Sequence, residues 1–489
     1  MIWELLYRQK KSNKIGIICG ENKLSYKDWH ELSKKLSEEV LKKIPQKIVG
    51  LFLPNSIAYA VSYFSCLYAD KIIAPLYLGS TMFEIYNTMK YCEISVRIIT
   101  QPQLDFVREL SEKYNLHIEI ILINDNAEII QVISLNKDIP INNINDSILE
   151  DVIILLHTSG TTSNPKRVML TNRGLLNNIK AHCESLGLNE NEVSLIQLPM
   201  MFGYCNTAQF LTHVYLGACV VINANPFMVA DFYKIIEKWR VTNFTAVPTL
   251  LVALYNSKIL PYDISSLKIV CFGGSPISKN FLENIIKKFP TIAFVQTYGL
   301  TEAGPRVTTL SPSTYDTKVG SVGSAISGVE IKIIDDFGNT IGCNEIGEVI
   351  IKSNSIMKGY FKSPEETAAV VHKNWLYSGD MGYVTKDGYL YIVGRKKNII
   401  ISGGKNICPE EIEEVIMSCT DIVDAKVYGV FDELLGECVC ADIVINSDCV
   451  NTICKLKTIC SNSLSEYKIP REIHVVKKIS RTYNGKIKR

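Results

Sequence analysis

From Ser25 to about Val307, apolar runs of strand length alternate with helical periodicities, and that alternation confines the chain to an α/β design. The segment SYKDWHELSKKLSEEVL, from Ser25, repeats its apolar side chains at helical spacing. KIVGLFLPN then reads as a strand, IAYAVSYFSCLYA as a second helix and KIIAPLY as a second strand. The pattern returns from Asp151, with strands predicted at VIILLH, ACVVINA, NFTAVP, LKIVCFGG and TIAFVQTYG. Parallel neighbours need a long return, which a helix supplies, so the expectation is layers of parallel sheet with crossover helices.

From about Val319 to Ile392 the character changes. Short alternating runs separated by glycine-containing turns, as in VEIKIIDDFGNTIG and GYVTKDGYLYIVG, predict a small β-rich subdomain. After Gly394 the run RKKNIIISGGKN begins like a linker. PEEIEEVIMSC then reads as a helix, with Pro409 in its first turn, Glu410 and Glu411 at the positive end of its dipole, and Ile412, Val415 and Ile416 on one face. Strands at DAKVYGV, ECVCADIVI and REIHVVKKI, with a helix around Asn451–Ser465, complete a small α+β unit. The 489 residues therefore divide into a large unit, 1–394, and a small one, 395–489.

Composition narrows the class. A formal net charge of +2 gives no bulk electrostatic case for nucleic acid or an anionic membrane. The 15 cysteines are scattered without a CxxC pair, so they read as small buried residues of a reducing, cytoplasmic compartment rather than as zinc ligands. The N-terminus, MIWELLYRQKKSNK, has no long apolar run after its charges and does not read as a secretory signal. No Asp, Glu, Lys or Arg occurs between Ser194 and Ala230, a span long enough for a bilayer. Pro199, Gly203, Asn206, Gln209, Thr212 and Asn225 interrupt it with groups that lipid cannot satisfy, so it is expected to be buried core and pocket.

The segment LLHTSGTTSNPKRVMLTNRG carries the most specific chemistry. A strand runs into Thr158, Ser159, Gly160, Thr161, Thr162 and Ser163, followed by Lys166. Hydroxyls and backbone amides in a glycine-containing turn suit phosphate oxygens, and the lysine adds charge. The Walker pattern GxxxxGK[ST] is not satisfied. TSGTTxxPK resembles the phosphate-loop signature of the adenylate-forming superfamily, which includes acyl-CoA synthetases, aryl-CoA ligases, peptide-synthetase adenylation domains and luciferases. That family has Gly where Ser163 and Arg167 stand. Further matches follow in the family's order, from Thr158 to the C-terminus. TYGLTEAG resembles its YGxTE segment, which implies Tyr298 and Gly299 beside adenine and acyl group, Thr301 at the α-phosphate and Glu302 at magnesium. FGGSP resembles the adenine loop, implicating Gly273, Gly274 and Ser275. LYSGD, with Ser378 for the usual Thr, implies Asp380 at the ribose hydroxyls. GRKKNIII resembles the hinge between the two domains, with Arg395 reaching the ribose and Lys397 as pivot. SGGKNICPEEIE resembles the thiol-side segment, with Gly403 and Gly404 close to a pantetheine arm. RTYNGKIKR resembles the family's ending, with Lys486 as the adenylation lysine and Tyr483 in place of the usual Pro.

The resemblance implies an adenylation core at 1–394 and a mobile domain at 395–489. It implies an enzyme that uses ATP and Mg²⁺ to activate a carboxylic acid as acyl-AMP and then transfers the acyl group to a thiol. The acceptor implied is CoA; a carrier-protein phosphopantetheine or an amine remains open, and so does a non-catalytic nucleotide-binding protein. Family position places Phe202, Gly203, Tyr204 and Cys205 at the acyl pocket, with Val247, Pro248, Thr249 and Gly274 nearby. Where amino-acid-activating domains carry Asp after this Phe, Gly203 stands here. A substrate ammonium would then be buried without a partner. An aryl or medium aliphatic acid is the expected substrate.

Overall fold

The computed structural model describes residues 1–137, 146–157, 166–275, 277–402, 405–432, 435–446, 451–481 and 487–488. The predicted elements form at the predicted places. Helix Tyr26–Glu39 starts where Ser25 accepts a hydrogen bond from the Asp28 amide. Helix Ile57–Tyr68 is apolar on every side and is buried all round, Tyr68 excepted.

Two large sheets carry the first part of the chain. The eight-stranded sheet runs in the order Gly359–Tyr360, Arg167–Thr171, Val152–His157, Ile72–Pro75, Ile48–Phe52, Val96–Ile99, Ile118–Ile123 and Ile129–Leu135. The nine-stranded sheet runs Ser324–Ala325, Gly304–Thr309, Ala293–Leu300, Ile269–Phe272, Asn243–Ala246, Val193–Ile196, Cys219–Ile222, Ile15–Cys19 and Asn22–Ser25. The largest core cluster joins them. It takes Val49 and Leu51 from one sheet, Ile17, Val220 and Ile222 from the other, and most of helix Ile57–Tyr68 between. A five-stranded β subdomain, including Val329–Ile334, Gly347–Ser353, Trp375–Val384 and Leu390–Arg395, has its own core around Val349 and Ile351. A second five-stranded sheet, from Ile400–Ser402 to Glu472–Val475, packs against helices Pro409–Met417 and Thr452–Ser463 over another separate core.

The sheets are mixed, not parallel throughout. Val152–His157 pairs parallel with Ile72–Pro75 on one side and antiparallel with Arg167–Thr171 on the other. Only residues 158–166 connect the last two strands, too few for a crossover helix, so the chain must return as a hairpin. The same holds for Ala293–Leu300 and Gly304–Thr309, which are antiparallel across a three-residue turn. Both hairpins lie at the functional motifs.

The charge-free stretch is largely buried in this core from Met200 to Asn223, and its end, from Ala224 to Ala230, is mostly exposed. Its middle, Asn206–Leu211, is π-helical, a rare geometry that is enriched at functional sites. Some of its polar groups find protein partners: Gln209 Nε2 donates to the Leu195 carbonyl at 2.9 Å, and Thr212 Oγ1 to the Thr207 carbonyl at 2.7 Å, whereas Asn206 Nδ2, Thr207 Oγ1 and Gln209 Oε1 are buried without one. Among the described residues no helix is long and apolar enough to cross a membrane.

Candidate active site

Thr158, Ser159, Gly160, Thr161, Thr162 and Ser163 lie outside the described residues. Lys166, the residue before strand Arg167–Thr171, is described. Its Nζ lies 4.7 Å from the centre of the Tyr360 ring and 3.3 Å from Glu366 Oε1. The Tyr360 hydroxyl donates to Glu302 Oε1 at 2.8 Å. Burial and the neighbouring Glu302 carboxylate push the Tyr360 phenol up, so it remains a donor. One aromatic ring therefore links the phosphate-loop lysine to the carboxylate expected at magnesium. The local fold explains how. Gly359–Tyr360 pairs with Val168 and Met169, and the Met357 amide donates to the Glu302 carbonyl at 2.7 Å. This short strand ties the two motif hairpins together.

Thr301 and Glu302 stand in the tight turn between Ala293–Leu300 and Gly304–Thr309, not at the start of a helix. Gly299 is required there, since a Cβ would lie 2.3 Å from the Pro305 carbonyl carbon. Arg167, where the family has Gly, is only 3% exposed and has an ordinary negative φ. Its Nη2 donates to Thr88 Oγ1 at 2.9 Å, so this departure is absorbed by packing against helix Met82–Cys92.

The ribose-side residues meet directly. Asp380 and Arg395 are cross-strand partners, with Arg395 Nε 2.6 Å from Asp380 Oδ1. The Tyr298 hydroxyl donates to Asp380 Oδ2 at 2.6 Å. Asp380 is 3% exposed, and burial together with its charge pushes the Tyr298 phenol up. Ser378 Oγ donates to the Val349 carbonyl at 2.6 Å and accepts from the Asp380 amide at 3.0 Å, so serine in place of threonine retains the hydroxyl that shapes this turn. Gly273 lies so close to the next strand that a Cβ would be 2.5 Å from the Thr297 carbonyl oxygen. Gly274 has φ +85° and is exposed, and Ser275 is half-buried beside it.

The acyl-pocket expectation divides. Tyr204 reaches Thr297 Oγ1 at 3.2 Å, and that hydroxyl donates to the Phe272 carbonyl, so Tyr204 is joined to the adenine loop. Phe202 packs on Tyr77 with ring centres 5.9 Å apart. Met201 and Leu250, the neighbours of Phe202 and Thr249, line a cleft of about 400 Å³. Val247 and Pro248 are half-buried at the start of helix Pro248–Asn256. Cys205 is fully buried in the main core, where burial pushes its thiol up. A Cβ on Gly203 would meet Leu156 Cδ1 at 3.0 Å, so a side chain there presses on a core leucine. Two residues missed in the sequence belong to this region: Tyr360, described above, and Arg306, whose guanidinium lies 4.8 Å from the centre of the Tyr204 ring. Nothing in GYF distinguishes Tyr360 from a core aromatic. Arg306 had a signal, as the one cation in the strand Gly304–Thr309.

Lys397 is exposed in the turn Lys396–Asn398, between the β subdomain and the last sheet. Asn398 Nδ2 donates to Glu410 Oε1 at 2.8 Å, anchoring this turn to helix Pro409–Met417. Gly403, Gly404 and Lys486 lie outside the described residues, as do Ser163 and Tyr483. The Lys279 amide donates to Glu414 Oε1 at 3.4 Å beside a cavity of about 320 Å³ between helices Lys279–Lys288 and Pro409–Met417. Among the described residues no group of three or more His, Cys, Asp and Glu could hold a metal. A single carboxylate, Glu302, fits a hard cation whose other ligands are phosphate oxygens and water.

The chain resembles known proteins along nearly its whole length. Residues 7–361 match the AMP-binding enzyme family, and residues 411–486 match the AMP-binding enzyme C-terminal domain. The chain is 30% identical to 4-coumarate–CoA ligase 2 of Nicotiana tabacum, over 98% of this chain and 91% of that one. O-succinylbenzoate coenzyme A synthetase from Bacillus subtilis in complex with ATP and magnesium ion superposes with a TM-score of 0.84 and 26% identity, covering 99% of this chain and 98% of that one. The same enzyme with its acyl-adenylate intermediate gives a TM-score of 0.84 and 25% identity, covering 99% and 96%. The chain belongs to the AMP-binding enzyme family and is an adenylate-forming enzyme of the acyl-CoA ligase type.

Proposed function

We propose that the protein activates an aromatic carboxylic acid with ATP and magnesium and transfers the acyl group to the thiol of CoA. The observation that carries this reading is the Tyr360 ring, with Lys166 over it and Glu302 at its hydroxyl. The resemblance assigns Lys166 to phosphate and Glu302 to magnesium, and a cation and a carboxylate held this close by one ring suit a magnesium-bound polyphosphate. The names of the relatives, a coumarate ligase and an o-succinylbenzoate synthetase, support an aromatic acid and CoA.

In the first step a carboxylate oxygen attacks the α-phosphorus of ATP. The bond to the bridging oxygen breaks, and pyrophosphate leaves. Charge on the phosphoryl oxygens must be met by fixed cations and dipoles. Lys166 exchanges its partly exposed pair with Glu366, a weak interaction, for the more highly charged phosphates. Thr158–Ser163 cradle the β- and γ-phosphates, and Thr301 contacts the α-phosphate. Glu302 would hold magnesium, which would neutralise phosphate charge. Asp380 and Arg395 bind the ribose; Tyr298, Gly299, Gly273, Gly274 and Ser275 enclose adenine. Lys486 bridges the carboxylate and the α-phosphate. In the second step the thiol, giving up its proton, attacks the acyl carbonyl and AMP leaves. Gly403 and Gly404 admit the pantetheine arm after residues 395–489 rotate about Lys397 against residues 1–394.

Acid-dependent pyrophosphate release with ATP and magnesium tests this reading, across aryl, aliphatic and amino acids with and without CoA. Release with aryl acids, accelerated by CoA with thioester formed, is expected. Release indifferent to CoA would move the acceptor to a carrier-protein phosphopantetheine or an amine. No release with any acid would overturn the catalytic reading.

A further inference from the structure

Arg306 is fully buried, and its charge is unmatched by any described neighbour. It is 0% exposed, among the largest side chains completely enclosed by the fold. Its Nη1 donates to the carbonyl of the adjacent Pro305 at 3.0 Å, while Nε and Nη2 have no hydrogen-bond partner of normal geometry, although the Tyr204 hydroxyl and the Cys271 thiol, both neutral, lie close enough to feel the guanidinium. No carboxylate among the described residues forms an ion pair with it. Its neighbours are the Tyr204 ring, the Cys271 thiol and His182. The His182 Nε2 lies 3.1 Å from the Ala208 carbonyl, and burial holds this imidazole well below its ordinary value, so it is a neutral neighbour and no counter-ion. A guanidinium is a permanent cation with five donors. Left buried and half-satisfied, it is costly to the fold, and stacking on one tyrosine offsets only part of that cost.

The position of this cation gives it a use. Arg306 follows the Thr301–Glu302 turn on the same strand, and it lies against Tyr204, whose hydroxyl contacts Thr297 beside the adenine loop. Asn178 Nδ2 donates to the Arg306 carbonyl at 2.7 Å, which fixes the strand here. Val307, the next residue, points to the opposite side, into the β-subdomain core.

We propose that Arg306 is a specificity-determining residue whose free Nε and Nη2 bind a second carboxylate on the substrate, remote from the one that is adenylated. This rests on the acyl-adenylate reading and on Tyr204 as a wall of the acyl pocket. The substrate class is then an acid with an anionic group at its far end, such as an aromatic dicarboxylate. A carboxylate matches the guanidinium fork, with two parallel N–H···O bonds.

The test compares matched acids on the full chain: benzoate with terephthalate, cinnamate with 4-carboxycinnamate, and hexanoate with adipate. Acid-dependent pyrophosphate release and calorimetric binding are both measured. The wild type should favour the dicarboxylate of at least one pair by about tenfold or more in kcat/KM and in binding, as expected for a buried charge pair. Arg306→Leu should reverse that preference, read as the ratio of dicarboxylate to mono-acid kcat/KM within the variant, and Arg306→Lys should retain part of it. The melting temperature of Arg306→Leu should equal or exceed that of the wild type, because an unmatched buried charge has been removed. No dicarboxylate preference in any pair overturns the inference, as does the same preference in all three proteins. A lower melting temperature with unchanged acid ratios overturns it in favour of a structural arginine. If Arg306→Leu does not fold, the Arg306→Lys ratios decide alone. Selective dicarboxylate binding without pyrophosphate release would sink the adenylation reading and leave Arg306 assigned. Release with mono-acids and no binding preference would do the reverse.

Discussion

Tyr360 acts through one hydroxyl. Its ring would pack equally well as phenylalanine, and Lys166 would still lie over it, so Tyr360→Phe isolates the hydrogen bond to Glu302. A hydrogen bond to a charged group contributes about 1.5–3 kcal/mol. We expect pyrophosphate release to fall about tenfold or more, with a raised magnesium requirement and little change in melting temperature. An unchanged magnesium dependence would remove Tyr360 from the site. Asp380 differs in kind. Both of its oxygens are engaged by Tyr298 and Arg395, so the ribose contact proposed for it depends on partners brought from two other stretches of chain. Arg306 belongs at the same scale: whether an arginine is a surface solubiliser or a buried anion receptor depends on its enclosure, and residue type alone does not decide it.

At the scale of elements, the π-helical segment Asn206–Leu211 is gripped by two imidazoles. His182, from helix Asn172–Leu186, contacts the Ala208 carbonyl at 3.1 Å, and His213 Nδ1 contacts the Gln209 carbonyl at 2.6 Å. Burial holds both histidines below the ordinary imidazole value. The folded protein keeps them neutral, whereas the unfolded chain takes up protons below about pH 6.5. Their contribution to stability is therefore complete above that pH and is lost as pH falls towards their depressed folded values. The limiting slope is about 1.4 kcal/mol per pH unit for each imidazole. Urea unfolding at pH 7.5, 6.5 and 5.5 should show this decline, and His182→Gln should flatten it. An unaltered slope in the variant would assign the pH dependence to other groups. Because this segment continues directly from Tyr204, acidification should loosen the acyl side before the β subdomain.

At the scale of the whole molecule, the last sheet has its own core and follows the exposed turn Lys396–Asn398. Asn398 fastens that turn to helix Pro409–Met417, while Lys396 Nζ lies 2.9 Å from Glu348 in the β subdomain, so Lys397, the proposed pivot, stands between the two anchors. The contact of Glu414 with the Lys279 amide is a single long hydrogen bond beside a cavity, a small obstacle to movement. If the two steps use two placements of residues 395–489, Lys486→Ala should abolish adenylation yet largely spare thioester formation from a supplied acyl-adenylate. Equal loss of both, measured side by side, would refute that division.

Much of this was legible in the sequence because it is local. Strand and helix periodicities, and Pro409 with Glu410 and Glu411, depend on near neighbours and backbone geometry, which a linear pattern records, whereas Gly273 is required by Thr297 on the neighbouring strand. The mixed sheet direction was also within reach, since residues 158–166 cannot span a crossover. Tyr360 and Arg306 were not, because their meaning comes from partners far away in the chain. Tyr360 meets Glu302 through strand pairing with Val168 and Met169, and Arg306 is enclosed by Tyr204 and His182. Composition and order set the elements and the motif chemistry. Which side chains were sealed from water, and which charges were left there without a partner, followed only from packing, because desolvation belongs to the assembled surroundings and not to the residue.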